Sequence, residues 1–209
     1  MAAGAGEHPL VSYLTLRRVV GTLGMGLPVV LALLGFGLCG CAEIRPSISD
    51  YYDGRTRDVL VGVLFTIAWF LFTYRGYDRE DDVAGNLACV LALCVALFPS
   101  TGAAWERTVH FIAAAGLFAV LAYFSLFLFT RTGGDPTPMK LVRNRIYVTC
   151  GLIIVGCIGL AGVCAAFPDD AALSAWRPVF WLESLALWAF GTSWAIKGEA
   201  VLADRGDRG

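Results

Sequence analysis

Charge is scarce in this sequence. Only 16% of its 209 residues are Asp, Glu, Lys or Arg, where soluble domains carry roughly a quarter. Apolar residues make up 57% and mean hydropathy is +0.68, so an ordinary soluble domain is excluded. Neither sign dominates, since the net charge is -1, and no global field recruits nucleic acid. No basic tract interleaved with aromatics is present either. Histidine is almost missing, with His8 in the N-terminal segment and His110 the only others to consider. Zinc sites draw on several nitrogen or sulfur ligands, so no metal and no cofactor is expected. The seven cysteines, at 39, 41, 89, 94, 150, 157 and 164, show no CxxC spacing. They lie in apolar runs and read as small hydrophobic side chains.

What is abundant is the long apolar run, and a run of about 18 residues or more reads as a membrane span. Six are expected, at about 19–42, 58–74, 83–98, 108–130, 146–167 and 178–196. Arg17 and Arg18 before the first run, and Leu38-Cys39-Gly40-Cys41 at its end, imitate a secretory lipoprotein signal. The run is long for a signal core and the rest of the chain is itself membrane-embedded, so it reads as a span. Polar interruptions separate the runs, including a longer loop at 131–145 with Gly133-Gly134-Asp135-Pro136 as turn chemistry. The expected fold is all-α: one polytopic domain, 1–209, built as a six-helix transmembrane bundle. Cys150, Gly151, Gly156, Cys157, Gly159, Gly162 and Cys164 place small residues along the fifth run, a pattern of close helix packing. Most of the six tryptophans fall near predicted interfaces and read as anchors, Trp188 being too central for that.

Six spans put both termini on one side. With the termini inside, eleven Lys and Arg face the cytoplasm and five (Arg45, Arg55, Arg57, Arg107, Arg177) face out. This positive-inside bias predicts cytoplasmic termini. A multi-pass protein of a plasma membrane, bacterial in character, is the expected setting.

The first long polar interruption, Arg45 to Asp58, holds three aspartates, three arginines, two serines and two tyrosines. Ionisable groups inside spans are costly and mark function by default. Two enter from the same outer face as this loop. His110 lies about 4.5 Å deeper than Arg107, and Glu183 about 9 Å deeper than Arg177, at helical rise. Ser49, Asp50, His110 and Glu183 are therefore candidate ligand-binding residues, and Arg57, Arg107 or Arg177 is suited to meet a phosphate. Bland readings stand beside each: His110 in the headgroup zone, Glu183 in a structural pair, the Ser-Ile-Ser-Asp run as a helix cap. A serine, a histidine and a carboxylate on one face also invite a catalytic reading. No nucleophile elbow supports it, and no catalytic residue is assigned.

These residues resemble the FRAG/DRAM/Sfk-type family of six-span membrane proteins. Ser47-Ile48-Ser49-Asp50 looks like its Ile-Ser-Asp signature. Ala96-Leu97-Phe98-Pro99, then Val109-His110 and Ala113-Ala114, looks like its third-to-fourth span pattern. Glu183 with Phe190 resembles its Glu-Trp helix, with Ser184 in place of the Trp. The resemblance implies lipid handling, with membrane lipids as ligands and no fixed catalytic scheme. The expected function is thus recognition of a lipid headgroup at an extracytoplasmic polar cluster. Two alternatives remain: an accessory or scaffold subunit that meets a membrane-protein partner or its own copies, and a lipid hydrolase or transferase using the same cluster.

Overall fold

A computed structural model describes residues 13–39, 43–76, 78–132, 134–166 and 175–198. They fold into six α-helices without a strand among them: α1 (Tyr13–Cys39), α2 (Arg57–Thr73), α3 (Arg79–Leu97), α4 (Ala104–Tyr123), α5 (Pro138–Ala166) and α6 (Pro178–Lys197). A 3-10 turn, Ser49–Tyr52, lies between α1 and α2. The chain after α4 runs on through a wider π-helical turn, Phe124–Leu128. Four segments are long and apolar enough to cross a membrane: Leu14–Gly37, Ala104–Leu128, Pro138–Ala165 and Pro178–Lys197. By contrast, α2 has 17 residues, and α3 opens with the charged turn Arg79–Asp82. The expected ends of two runs, Ala42 and Phe167, and the tail 199–209 fall outside the described residues.

Two helices begin earlier than hydropathy alone predicts. Helix α1 starts at Tyr13, six residues ahead of Val19, so Arg17 and Arg18 are helical. Arg18 Nε donates to the Gly198 carbonyl at 2.7 Å, tying the start of α1 to the end of α6. Helix α5 starts at Pro138 and absorbs Lys140, Arg143 and Arg145, which the sequence places in a loop. Its start is chemically ordinary. Thr137 Oγ1 accepts the Lys140 N–H at 3.1 Å, and proline takes the first helical position, where no N–H is needed.

Each helix packs on its neighbours in sequence, and α6 returns to α1, so the six close a ring. Glycine sets the tightest seams. A Cβ on Gly21 would sit 2.7 Å from the Gly191 carbonyl oxygen, and one on Gly191 would sit 2.5 Å from that of Gly21. The backbones of α1 and α6 therefore touch, as small residues allow in a membrane. Trp188 strengthens that seam through Nε1, which donates to the Met25 carbonyl at 3.0 Å. On α5 the small-residue stripe divides. Gly151, Cys150 and Cys157 are buried, whereas Gly156, Gly159 and Gly162 face outward with open space around them. The expected close packing is thus confined to the first half of the stripe.

At one end the ring is plugged by aromatics. Tyr74, Phe124, Phe129, Phe190 and Trp194 stack edge-on and tilted, with centroids 5.2–5.8 Å apart. Trp194 is only 1% exposed, so it is a core residue and not an interface anchor. The π-helical turn helps fill this end, since the Phe129 N–H reaches back to the Phe124 carbonyl at 2.9 Å. Nearby, the buried hydroxyl oxygens of Ser125, in the π-helical turn, and Ser193, in α6, lie 2.9 Å apart, with the Leu121 and Phe190 carbonyls as further acceptors within reach. Arg131 closes the same end by pairing with Asp78, at 3.1 Å, and with Glu80. At the other end Leu27, Leu31, Leu60 and Phe180 cluster with Ile48, Tyr51 and Tyr52. The segment from Glu43 to Thr56 covers this end.

Candidate functional site

The covering segment is held by its own short-range chemistry. Asp50 Oδ2 accepts the Ser47 N–H at 2.9 Å, and Ser47 Oγ accepts the Asp50 N–H at 3.2 Å. This reciprocal pair forms the 3-10 turn, because Ser and Asp satisfy local backbone donors readily. Tyr51 is buried against Gly35 and Phe180, and Thr56 Oγ1 donates to the Tyr51 carbonyl at 2.9 Å. The turn thereby points Ile48 and Ser49 down into the ring.

Two residues of the long apolar helices meet them there. His110, in the second turn of α4 and 1% exposed, bridges two loops. Its Nδ1 lies 2.7 Å from the Phe98 carbonyl oxygen and its Nε2 lies 2.9 Å from Ser49 Oγ. A carbonyl only accepts, so Nδ1 carries the hydrogen. In the neutral ring Nε2 is then the acceptor and Ser49 the donor. We expect side-chain 15N shifts of labelled protein to report the Nδ1–H tautomer, and an Nε2–H signal would reverse the assignment.

Glu183, in the second turn of α6, reaches the same place from another helix. Its Oε2 accepts the N–H of Ile48, the residue before Ser49, at 2.7 Å. Its second oxygen, Oε1, accepts no hydrogen bond among the described residues. Ser49, His110 and Glu183 all line one narrow cavity of about 60 Å³. The remaining walls are apolar and come from several helices, among them Leu27, Leu60, Leu64, Leu117 and Phe118. A cavity of this size holds a few water-sized groups.

The other sequence candidates lie elsewhere. Asp50 builds the turn and does not line the cavity. Arg57 packs on Tyr52, its guanidinium 4.7 Å from the ring centre and 3.1 Å from the hydroxyl. Arg177 pairs with Glu43 at 2.8 Å. Arg107 is exposed on the first turn of α4. None of the three arginines lines the cavity among its described residues. What the sequence did not reveal is the part played by main chain: the Phe98 carbonyl and the Ile48 N–H complete the site, and neither depends on residue identity. Among the described residues, no group of three or more His, Cys, Asp or Glu side chains is placed to hold a metal ion.

No protein-family model matches the chain, and comparison with curated proteins and with solved structures gives no match either. The functional reading therefore rests on the geometry.

Proposed function

We propose that this is a six-span membrane protein that binds a membrane amphiphile, with the polar headgroup under the 43–56 segment. One observation carries the reading: Ser49, His110 and Glu183, drawn from three separate parts of the chain, converge on a single cavity whose other walls are apolar. A mixed lining of this kind fits a ligand with one polar end. Helices α2 and α3 would cross beside the four long ones. They share the ring, and their 17 and 19 residues extend to about 26–29 Å at helical rise, close to the hydrocarbon thickness of about 30 Å. Positive-inside counting puts both termini in the cytoplasm and the cavity near the outer leaflet. The FRAG/DRAM/Sfk-type resemblance, with its link to lipid handling, points the same way.

Native mass spectrometry of the protein released from nanodiscs tests this. Bound amphiphile should fall severalfold in His110→Ala and Glu183→Gln while both variants still insert and stay monodisperse. Equal occupancy in both variants and the parent would remove the reading.

A second reading is supported by a specific contact. Ser49 Oγ donating to His110 Nε2, with Nδ1 held by a carbonyl, is the arrangement of a base beside a hydroxyl nucleophile. Turnover of a lipid ester, lost in Ser49→Ala, would move the protein from binder to acyl-transfer enzyme.

A further inference from the structure

We propose that the cavity selects headgroups that donate hydrogen bonds, a primary ammonium above all, and turns phosphate away. This rests on the amphiphile-binding reading and names the ligand class: a single-chain primary amine or amino alcohol of the membrane.

The argument is a count of donors and acceptors. His110 spends its Nδ1–H on the Phe98 carbonyl. Ser49 spends its hydroxyl hydrogen on His110 Nε2. With Glu183 ionised, the polar side-chain atoms left to a ligand are the lone pairs of Ser49 Oγ and of Glu183 Oε1, and both are acceptors. A phosphate ester brings acceptors to acceptors. A primary ammonium brings three donors and the charge opposite to that of a carboxylate, and a charge-assisted bond of that kind is about twice as strong as a neutral one.

The charges around the cavity agree. A phosphate in an apolar surround needs a cation, and an unpaired charge there is costly. Of the arginines at this end, Arg57 is engaged with Tyr52, Arg177 with Glu43, and Arg107 lies exposed on α4; neither these nor Arg45 and Arg55 of the covering segment line the cavity. The one ionisable carboxyl lining the cavity, Glu183, receives a single backbone N–H. Size points the same way, since about 60 Å³ admits an ammonium and the first methylenes of a chain. A trimethylammonium group is bulkier and has no N–H to give.

Four probes of equal chain length separate these possibilities: dodecylamine, dodecanol, dodecyl phosphate and dodecyltrimethylammonium. Each is added to the purified full chain in maltoside micelles, and binding is read by native mass spectrometry and thermal shift, in the parent and in Glu183→Gln. Dodecylamine should bind at least tenfold more tightly than the phosphate or the quaternary amine. Glu183→Gln should abolish most of that preference, with a smaller effect on dodecanol. If dodecyl phosphate binds as well as the amine, and His110→Ala weakens both, the selectivity fails while amphiphile binding stands. If no probe distinguishes parent from variants, amphiphile binding at this cavity fails as well. A Glu183-dependent shift produced by sodium or potassium chloride alone, with no gain from the amine, would reassign the site to an inorganic cation and overturn the proposal.

Discussion

Gly191→Val should cost this protein its fold or most of its thermal stability, whereas Gly156→Val should be silent. The two glycines are alike in sequence and opposite in surroundings. A Cβ at 191 would lie 2.5 Å from the Gly21 carbonyl oxygen and 3.1 Å from the Met25 N. These are backbone atoms of α1, and they cannot rotate out of the way. Valine adds two methyl groups to that Cβ, so α1 and α6 must move apart. Overpacking of this kind costs about 1–3 kcal/mol, and occasionally more. Separation also stretches the Trp188 bond to the Met25 carbonyl and the Arg18 bond to the Gly198 carbonyl, which span the same seam. Inside a membrane no hydrophobic force pulls helices back together, because lipid tails are as apolar as side chains. At 156 a Cβ meets nothing within 4 Å, and the residue is exposed. Size-exclusion profiles after heating in detergent give the comparison. Equal melting of the two variants would mean that the close α1–α6 approach does not hold the ring.

The contrast between those glycines shows what the sequence can and cannot say. Small residues at helical spacing announce a tight interface but not which of them sits in it. For the fifth run the answer is Gly151 and the buried cysteines, and the later glycines face out. Hydropathy located each of the six described helices, yet it cut α5 short by eight residues because Lys140, Arg143 and Arg145 look like loop. The Thr137-Pro138 pair was the available signal for the true start, a cap followed by a residue that needs no N–H donor. Trp194 looked like an interface anchor because it stands near the end of its run, but the ring closes around that end and buries it. At the site, rarity did the work. An apolar chain has few reasons to carry His110 or Glu183, and both meet at the Ile48-Ser49 pair. The arginines were harder. Their side chains are long and can take partners away from the cavity, as Arg57 takes Tyr52 and Arg177 takes Glu43.

Glu183 should matter for the loop as well as for a ligand, and two substitutions separate the roles. Glu183→Leu removes the acceptor that faces the Ile48 N–H, and Ile48 is only 7% exposed. A buried donor left without a partner costs about 1–3 kcal/mol. The turn can escape that cost by lifting away from the ring, so its amides should exchange faster with solvent. At 1.4 kcal/mol the acceleration is about tenfold. Glu183→Gln keeps a carbonyl oxygen at the same reach, so the Ile48 bond survives and exchange across residues 45–52 should stay within a few-fold of the parent. Hydrogen–deuterium exchange in nanodiscs reads both. Equal protection in all three proteins would show that Ser49–His110 and the Ser47–Asp50 pair hold the turn without Glu183. If Glu183→Leu alone loosens it, one carboxyl serves both roof and cavity: Oε2 pins the turn while Oε1 remains for a ligand. An ammonium bound at Oε1 would then keep the carboxylate charged and its Ile48 bond strong. Adding dodecylamine to the parent should slow exchange at Ile48, and adding it to Glu183→Gln should not.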